Sequence, residues 1–178
     1  MNYKKILLLH IWAIFILFSM LVAGRTGEDA ELYSLARKAG SEASYDQAFI
    51  YCQSLLTNYP NSKYKEQSIF GMGEYYFLVA DYLDAQNTFE TFINQYPKSK
   101  GVLFAQVYLY KIATLTGNKT LKKKTLKEIV SLKRMIFVFR EFKEFNYQSA
   151  LLGNYRGIYS INKIEIYNEG KLVEQIPY

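Results

Sequence analysis

Tyr82-Leu83-Asp84-Ala85-Gln86-Asn87-Thr88-Phe89-Glu90-Thr91-Phe92, followed by Tyr96-Pro97-Lys98-Ser99-Lys100, decides the fold, because the chain has already run through this pattern once. Tyr45, Ala48, Cys52 and Leu55, then Tyr59-Pro60-Asn61-Ser62-Lys63, stand 37 residues earlier. Self-similarity at a fixed period of this length marks stacked supersecondary units rather than one ordinary globular core.

Outward from these two copies the pattern is helical from Glu28 to about Leu132. Apolar residues return at three- and four-residue steps, as at Leu32, Leu35, Ala36 and Ala39. The helices come in pairs. Ser44-x-x-Gln47 reads as a capping box opening the second helix of the first pair. Asp81 holds the equivalent place in the second pair, with Asp84 in the first turn, where an acid suits both the cap and the helix dipole. Tyr59-Pro60 and Tyr96-Pro97 close those helices, since a residue before proline avoids the α region. Ser62 and Ser99 then cap the helices that follow. Gly73 and Ala85 let neighbouring helices approach closely, and Phe89 and Phe92 fill the space between successive units. A large side chain at Gly73 is expected to overpack that contact, at roughly 1–3 kcal/mol.

The second unit resembles a tetratricopeptide repeat. Ile69, Met72, Gly73 and Tyr76 match the large–large–small–large positions of that family's first helix, and Ala85, Phe89 and Pro97 match its second half. The first unit matches through Leu32, Leu35, Ala36, Ala39, Ala48, Cys52 and Pro60. A third, degenerate unit draws one face from Ala105, Leu109 and Ile112 and another from Leu126, Ile129 and Val130, as suits a terminal repeat. The period exceeds the usual ~34 residues, and the extra residues fall in the turns Asn61–Lys65 and Lys98–Val102. The stretch from Gly73 to Ala85 is similar to a bacterial envelope group that contains the outer-membrane assembly lipoprotein and the periplasmic coordinator of the Tol-Pal system. The likeness covers about residues 28–116. The chain departs from the assembly lipoprotein in lacking a lipidated cysteine near residue 24 and in being too short for five repeats.

In the tetratricopeptide family the first helix of each pair lines a concave face. The resemblance therefore implies a partner-binding surface of Tyr33, Arg37, Gln67, Phe70, Glu74 and Phe77. Aromatic, amide and charged groups together suit an extended peptide or a partner helix. The other reading is that Phe70 and Phe77 pack beneath the C-terminal part of the chain.

After about residue 133 the period changes. Met135–Phe139, Tyr155–Ile161, Lys163–Tyr167 and Lys171–Ile176 are rich in β-branched and aromatic residues, and Asn168-Glu169-Gly170 reads as a hairpin loop with Gly170 at positive φ. A lone hairpin is marginal in water, so this part is expected to pack on the last helices. The fold expected is mainly α: a tetratricopeptide-like helical-hairpin solenoid of two to three repeats over 28–133, with a small antiparallel β module over 134–178.

Residues 1–24 stand apart. Lys4 and Lys5 precede an uncharged run from Ile6 to Gly24, which reads either as a cleaved signal peptide or as a membrane anchor through residues 6–24. Both place the remainder outside the cytoplasm: in the periplasm, soluble or held to the inner membrane. Cys52 is the one cysteine; it occupies a repeat core position and reads as a small hydrophobe. The formal charge of +6 owes most of its excess to Lys122, Lys123, Lys124 and Lys127. That run is either a solvated helix face or a contact for anionic lipid or an acidic partner. A nucleic-acid partner does not fit an exported chain.

No chemistry is legible. The single histidine, His10, lies in the apolar leader, and there is no cysteine pair, phosphate loop or nucleophile elbow. Glu141 and Glu144 read as exposed charges on a strand or turn, and Asn118 as a turn residue between helices. No cofactor, no metal and no catalysis is expected. The expected function is a non-enzymatic protein–protein interaction scaffold in the bacterial cell envelope, serving outer-membrane assembly or division. The alternative is a membrane-anchored accessory subunit that contacts its complex through the C-terminal β module.

Overall fold

The computed structural model describes residues 27–139 and 144–178. Six helices come first: α1 (Glu28–Ser41), α2 (Tyr45–Asn58), α3 (Lys65–Leu78), α4 (Tyr82–Gln95), α5 (Gly101–Leu115) and α6 (Lys119–Phe139). Four strands follow: β1 (Glu144–Gln148), β2 (Asn154–Tyr159), β3 (Lys163–Asn168) and β4 (Lys171–Pro177). They form one antiparallel sheet in the order β1-β2-β3-β4. The described residues thus form three helical hairpins plus a meander, the fold class that the repeat predicts.

The hairpins keep the 37-residue register at their turns. Ala43, Ala80 and Gly117 all adopt a left-handed backbone, with φ of 58°, 60° and 71°. Only the third turn uses the residue that tolerates this conformation freely. The hairpin turn Glu169-Gly170 likewise has positive φ at both positions, 46° and 77°, which matches the twist of the flanking strands.

Several capping expectations need correction. Asp81 does cap α4, its carboxylate accepting from Asp84 N–H at 3.2 Å. Ser44 stands at the N-cap of α2, but its side chain makes no capping hydrogen bond. Ser62 and Ser99 lie before the caps and act across repeats. Ser99 Oγ accepts from Gly101 N–H at 2.9 Å and donates to Glu66 of α3 at 2.5 Å. Ser62 Oγ accepts from Tyr64 N–H at 3.1 Å and donates to Asp29 of α1 at 2.6 Å. Each serine therefore ties the start of one hairpin to the start of the preceding one.

Met135–Phe139, read as strand, continues α6 instead. The stretch follows directly from a helix already nucleated, and adding a turn to an existing helix costs far less than opening a strand. The true first strand, β1, went unnoticed in the sequence. Glu141 lies outside the described residues. Glu144 is exposed on β1, with its carboxylate 3.9 Å from Arg156.

Helices α3 to α6 and the sheet share one core, while α1 and α2 pack on Ala150 and Leu151 in two smaller clusters. Phe70, Phe89, Phe92, Leu103, Phe104 and Ile112 bury with Tyr147, Tyr155, Ile164, Ile166 and Ile176 in a single cluster. Phe70 sits at its centre, with ring centroids 5.3 Å from both Phe89 and Phe92 and 4.8 Å from Tyr147. Gly73 makes the expected close approach: a Cβ there would stand 2.9 Å from the Phe89 ring.

Candidate functional site

The first helices of the hairpins, α1, α3 and α5, line the concave face, and the chain's own sheet lies on it. The β1–β2 loop, Ser149–Gly153, sits deepest. Ala150 and Leu151 are buried, and Ala150 N–H donates to the Gln67 carbonyl at 3.4 Å. A Cβ at Gly40 would stand 2.1 Å from the Leu151 carbonyl oxygen, so α1 admits this loop only because position 40 is glycine. The loop, closed by the Ser149 N–H donating to the Gly153 carbonyl at 2.9 Å, is an internal occupant of this face.

Glu74 fixes the arrangement. It is fully buried on α3, and its carboxylate accepts from Tyr155 OH at 2.6 Å and from Leu152 N–H at 3.2 Å. Tyr155 OH lies 2.7 Å from Tyr108 OH, which extends the chain of hydrogen bonds to α5. Burial pushes the Glu74 carboxyl up to about 7, against the hydrogen bonds from Tyr155, Ser149 and Leu152, which hold it down. The Tyr155 and Tyr108 hydroxyls are also raised, foremost by burial and then by the Glu74 charge.

The six residues expected to meet a partner thus part company. Phe70 and Glu74 are buried under the sheet, so their contact is intramolecular. Gln67 is half-buried with its carbonyl taken by Ala150. Tyr33 is half-buried and stacks on Tyr64 at 4.4 Å. Arg37 is exposed beside a polar cleft of about 580 Å³ that Tyr45, Asn154 and Lys171 also line. Phe77 lines a crevice of about 170 Å³ where α3 and α5 meet the sheet.

That crevice leaves one part of this face open. Phe77, Phe104, Tyr108 and Ile166 line it together with Leu78, Lys111, Val173 and Glu174. Leu78 and Val173 are both 44% exposed, and Val79 and Leu172 beside them are about half exposed. Lys111 Nζ lies 3.9 Å from the Glu174 carboxylate and 5.3 Å from the centre of the Phe77 ring. Sequence reasoning missed this place because it needs β4, whose Leu172-Val173 pair carries no sign of which side faces a helix.

Cys52 is buried against Ala36 and Ala150. Burial, and secondly the Glu74 charge, push its thiol up to about 12, so it stays protonated and inert. Among the described residues no helix is long and apolar enough to cross a membrane.

Stacked helical hairpins with a shared inner face define a tetratricopeptide-type protein, a class whose surfaces serve protein contact. The chain belongs to the YfiO family, outer membrane lipoprotein, whose family model matches residues 25–151. The match takes in the three hairpins, β1 and the start of the β1–β2 loop, and ends before β2, β3 and β4. A comparison with curated proteins finds no match. Membership places the chain among exported proteins of the cell envelope. The lipid of a lipoprotein requires a cysteine thiol, and the one cysteine in this sequence is the buried Cys52.

Proposed function

We propose that this protein is a non-enzymatic interaction scaffold of the periplasm that serves outer-membrane assembly. It captures an apolar segment of a partner protein in the crevice between α3, α5 and β4. The family match supports the setting. The observation that carries the contact is the crevice itself, an apolar slot rimmed by the exposed Leu78 and Val173 at the open end of the concave face. Exposed apolar side chains around a concave, mostly apolar floor mark a docking site. The Lys111–Glu174 pair at the rim supplies one charge of each sign to fix a partner's register.

A photo-crosslinking amino acid placed at Leu78 or Val173, in the native envelope, tests the contact. Discrete protein adducts at both positions are expected, with none at Asn87 on the exposed side of α4. Equal labelling at all three positions overturns the crevice as the contact. Adducts at 78 and 173 to proteins unconnected with outer-membrane assembly overturn the setting but keep the scaffold.

A further inference from the structure

The charge of the molecule is concentrated on one helix. Residues 119–139, the span of α6, hold seven basic side chains and one acidic, a formal +6. Residues 27–118 hold seven basic and ten acidic, a formal −3, and residues 140–178 hold five of each. The buried face of α6 is Leu121, Thr125 and Ile129. Lys119, Lys123 and Lys127 follow one another at four-residue steps and are all exposed.

This row works against the helix that carries it. Like charges four residues apart repel. Lys119 and Lys122 stand in the first turn, which holds no acid, so they meet the positive end of the helix dipole. None of Lys119, Lys123 and Lys127 forms an ion pair among the described residues. Lys124 differs, since it shares a polar cleft with Glu90 and Glu128. The sequence thus keeps a costly arrangement without an internal carboxylate to relieve it, which points to an anionic group outside the chain.

We propose that the Lys119–Lys123–Lys127 row of α6 docks on the anionic phospholipid surface of a membrane. Three features favour a lipid surface over an acidic peptide. The row lies along the exposed face of α6, opposite the buried Leu121, Thr125 and Ile129. Lysines are flexible point charges suited to a plane of phosphates rather than to one fixed carboxylate. Leu115, 58% exposed and four residues before Lys119, offers an apolar side chain that can enter the headgroup layer.

The test is co-sedimentation of the full chain with vesicles of pure phosphatidylcholine and with vesicles containing phosphatidylglycerol. Wild-type protein is compared with Lys119→Gln/Lys123→Gln/Lys127→Gln and with the matching triple arginine variant. Lys4, Lys5 and Arg25 are common to all three, so the leader contributes equally. At roughly a fivefold gain per lysine at an anionic surface, the glutamine variant should lose about a hundredfold of the preference for phosphatidylglycerol vesicles. The arginine variant should keep it, and raised salt should erase it in the wild type. Because the substitution removes repulsion, the glutamine variant should melt no earlier than wild type. A glutamine variant with wild-type preference overturns the proposal. So does wild-type protein that binds soluble polyglutamate while showing no preference between the vesicles. Photo-crosslinking at Leu78 should be the same in wild type and the glutamine variant, which separates this membrane contact from the crevice.

Discussion

At the residue scale, Glu74 decides most. A carboxylate taken from water without a cation is unfavourable even when hydrogen-bonded, and burial alone raises its proton affinity. Its native value of about 7 lies above the ordinary 4.5, so the folded state holds the proton more tightly than the unfolded chain. The associated stability is therefore fully present below about pH 4.5 and is lost as pH rises through about 7. The shift corresponds to about 3 kcal/mol in total. The groups that face Glu74 are Tyr147, Tyr155, Ser149 and Leu152 N–H from the sheet side, Tyr108 from α5 and Cys52 from α2. None of them titrates in this window, because Tyr147, Tyr155, Tyr108 and Cys52 are all raised from values that already lie above it. Urea unfolding between pH 5 and 8 should show stability falling with pH in wild type, and Glu74→Gln should flatten the curve. A glutamine variant that keeps the wild-type slope refutes the assignment.

At the scale of elements, the hairpins were legible because close helix packing demands small residues at fixed places. Ala48, Gly73 and Ala85 meet that demand, and Tyr-Pro stops α2 and α4. The end of α6 was not legible, since Met135–Phe139 has strand-like composition while its conformation follows from the helix before it. The serine ties were half legible. Ser62 and Ser99 stood out, but their partners Asp29 and Glu66 lie 33 residues back and satisfy no local capping rule. The ties link one hairpin to the next, so they bear on coupling between repeats. Ser99→Ala leaves Gly101 N–H without its acceptor and Glu66 without its donor, and should cost about 1–2 kcal/mol. Glu66 is half-exposed, so the coupling in a double-mutant cycle with Glu66→Gln should be smaller, about 0.5–1 kcal/mol. Strictly additive effects in that cycle would show that the hydroxyl serves only the α5 turn.

At the scale of the molecule, the inner face was read as a groove for a partner, and the chain itself fills it. The periodicity of α3 correctly marks Phe70 as inward, but periodicity cannot say whether a concave face meets another protein or a sheet that arrives some eighty residues later; Glu74, polar and so resembling a binding residue, in fact anchors that sheet at Tyr155. A repeat array alone couples each unit only to its neighbours and can open from its ends. A sheet that shares one core with α3, α4, α5 and α6 should remove that freedom and make the chain melt as a unit. Ile166 tests this because it is buried on β3, far along the chain from the hairpins it supports. Ile166→Ala should destabilise by about 2–5 kcal/mol. Far-UV circular dichroism, which reports the helices, and the NMR amide signals of β2 and β3, which report the sheet, should shift together to the same lower midpoint. If the sheet transition moves while the helical one stays, the sheet is an appendage to the array. The concave face would then open to partners whenever the sheet lifts away. Coincident transitions instead leave α6 and the crevice beside β4 as the surfaces that the folded protein presents.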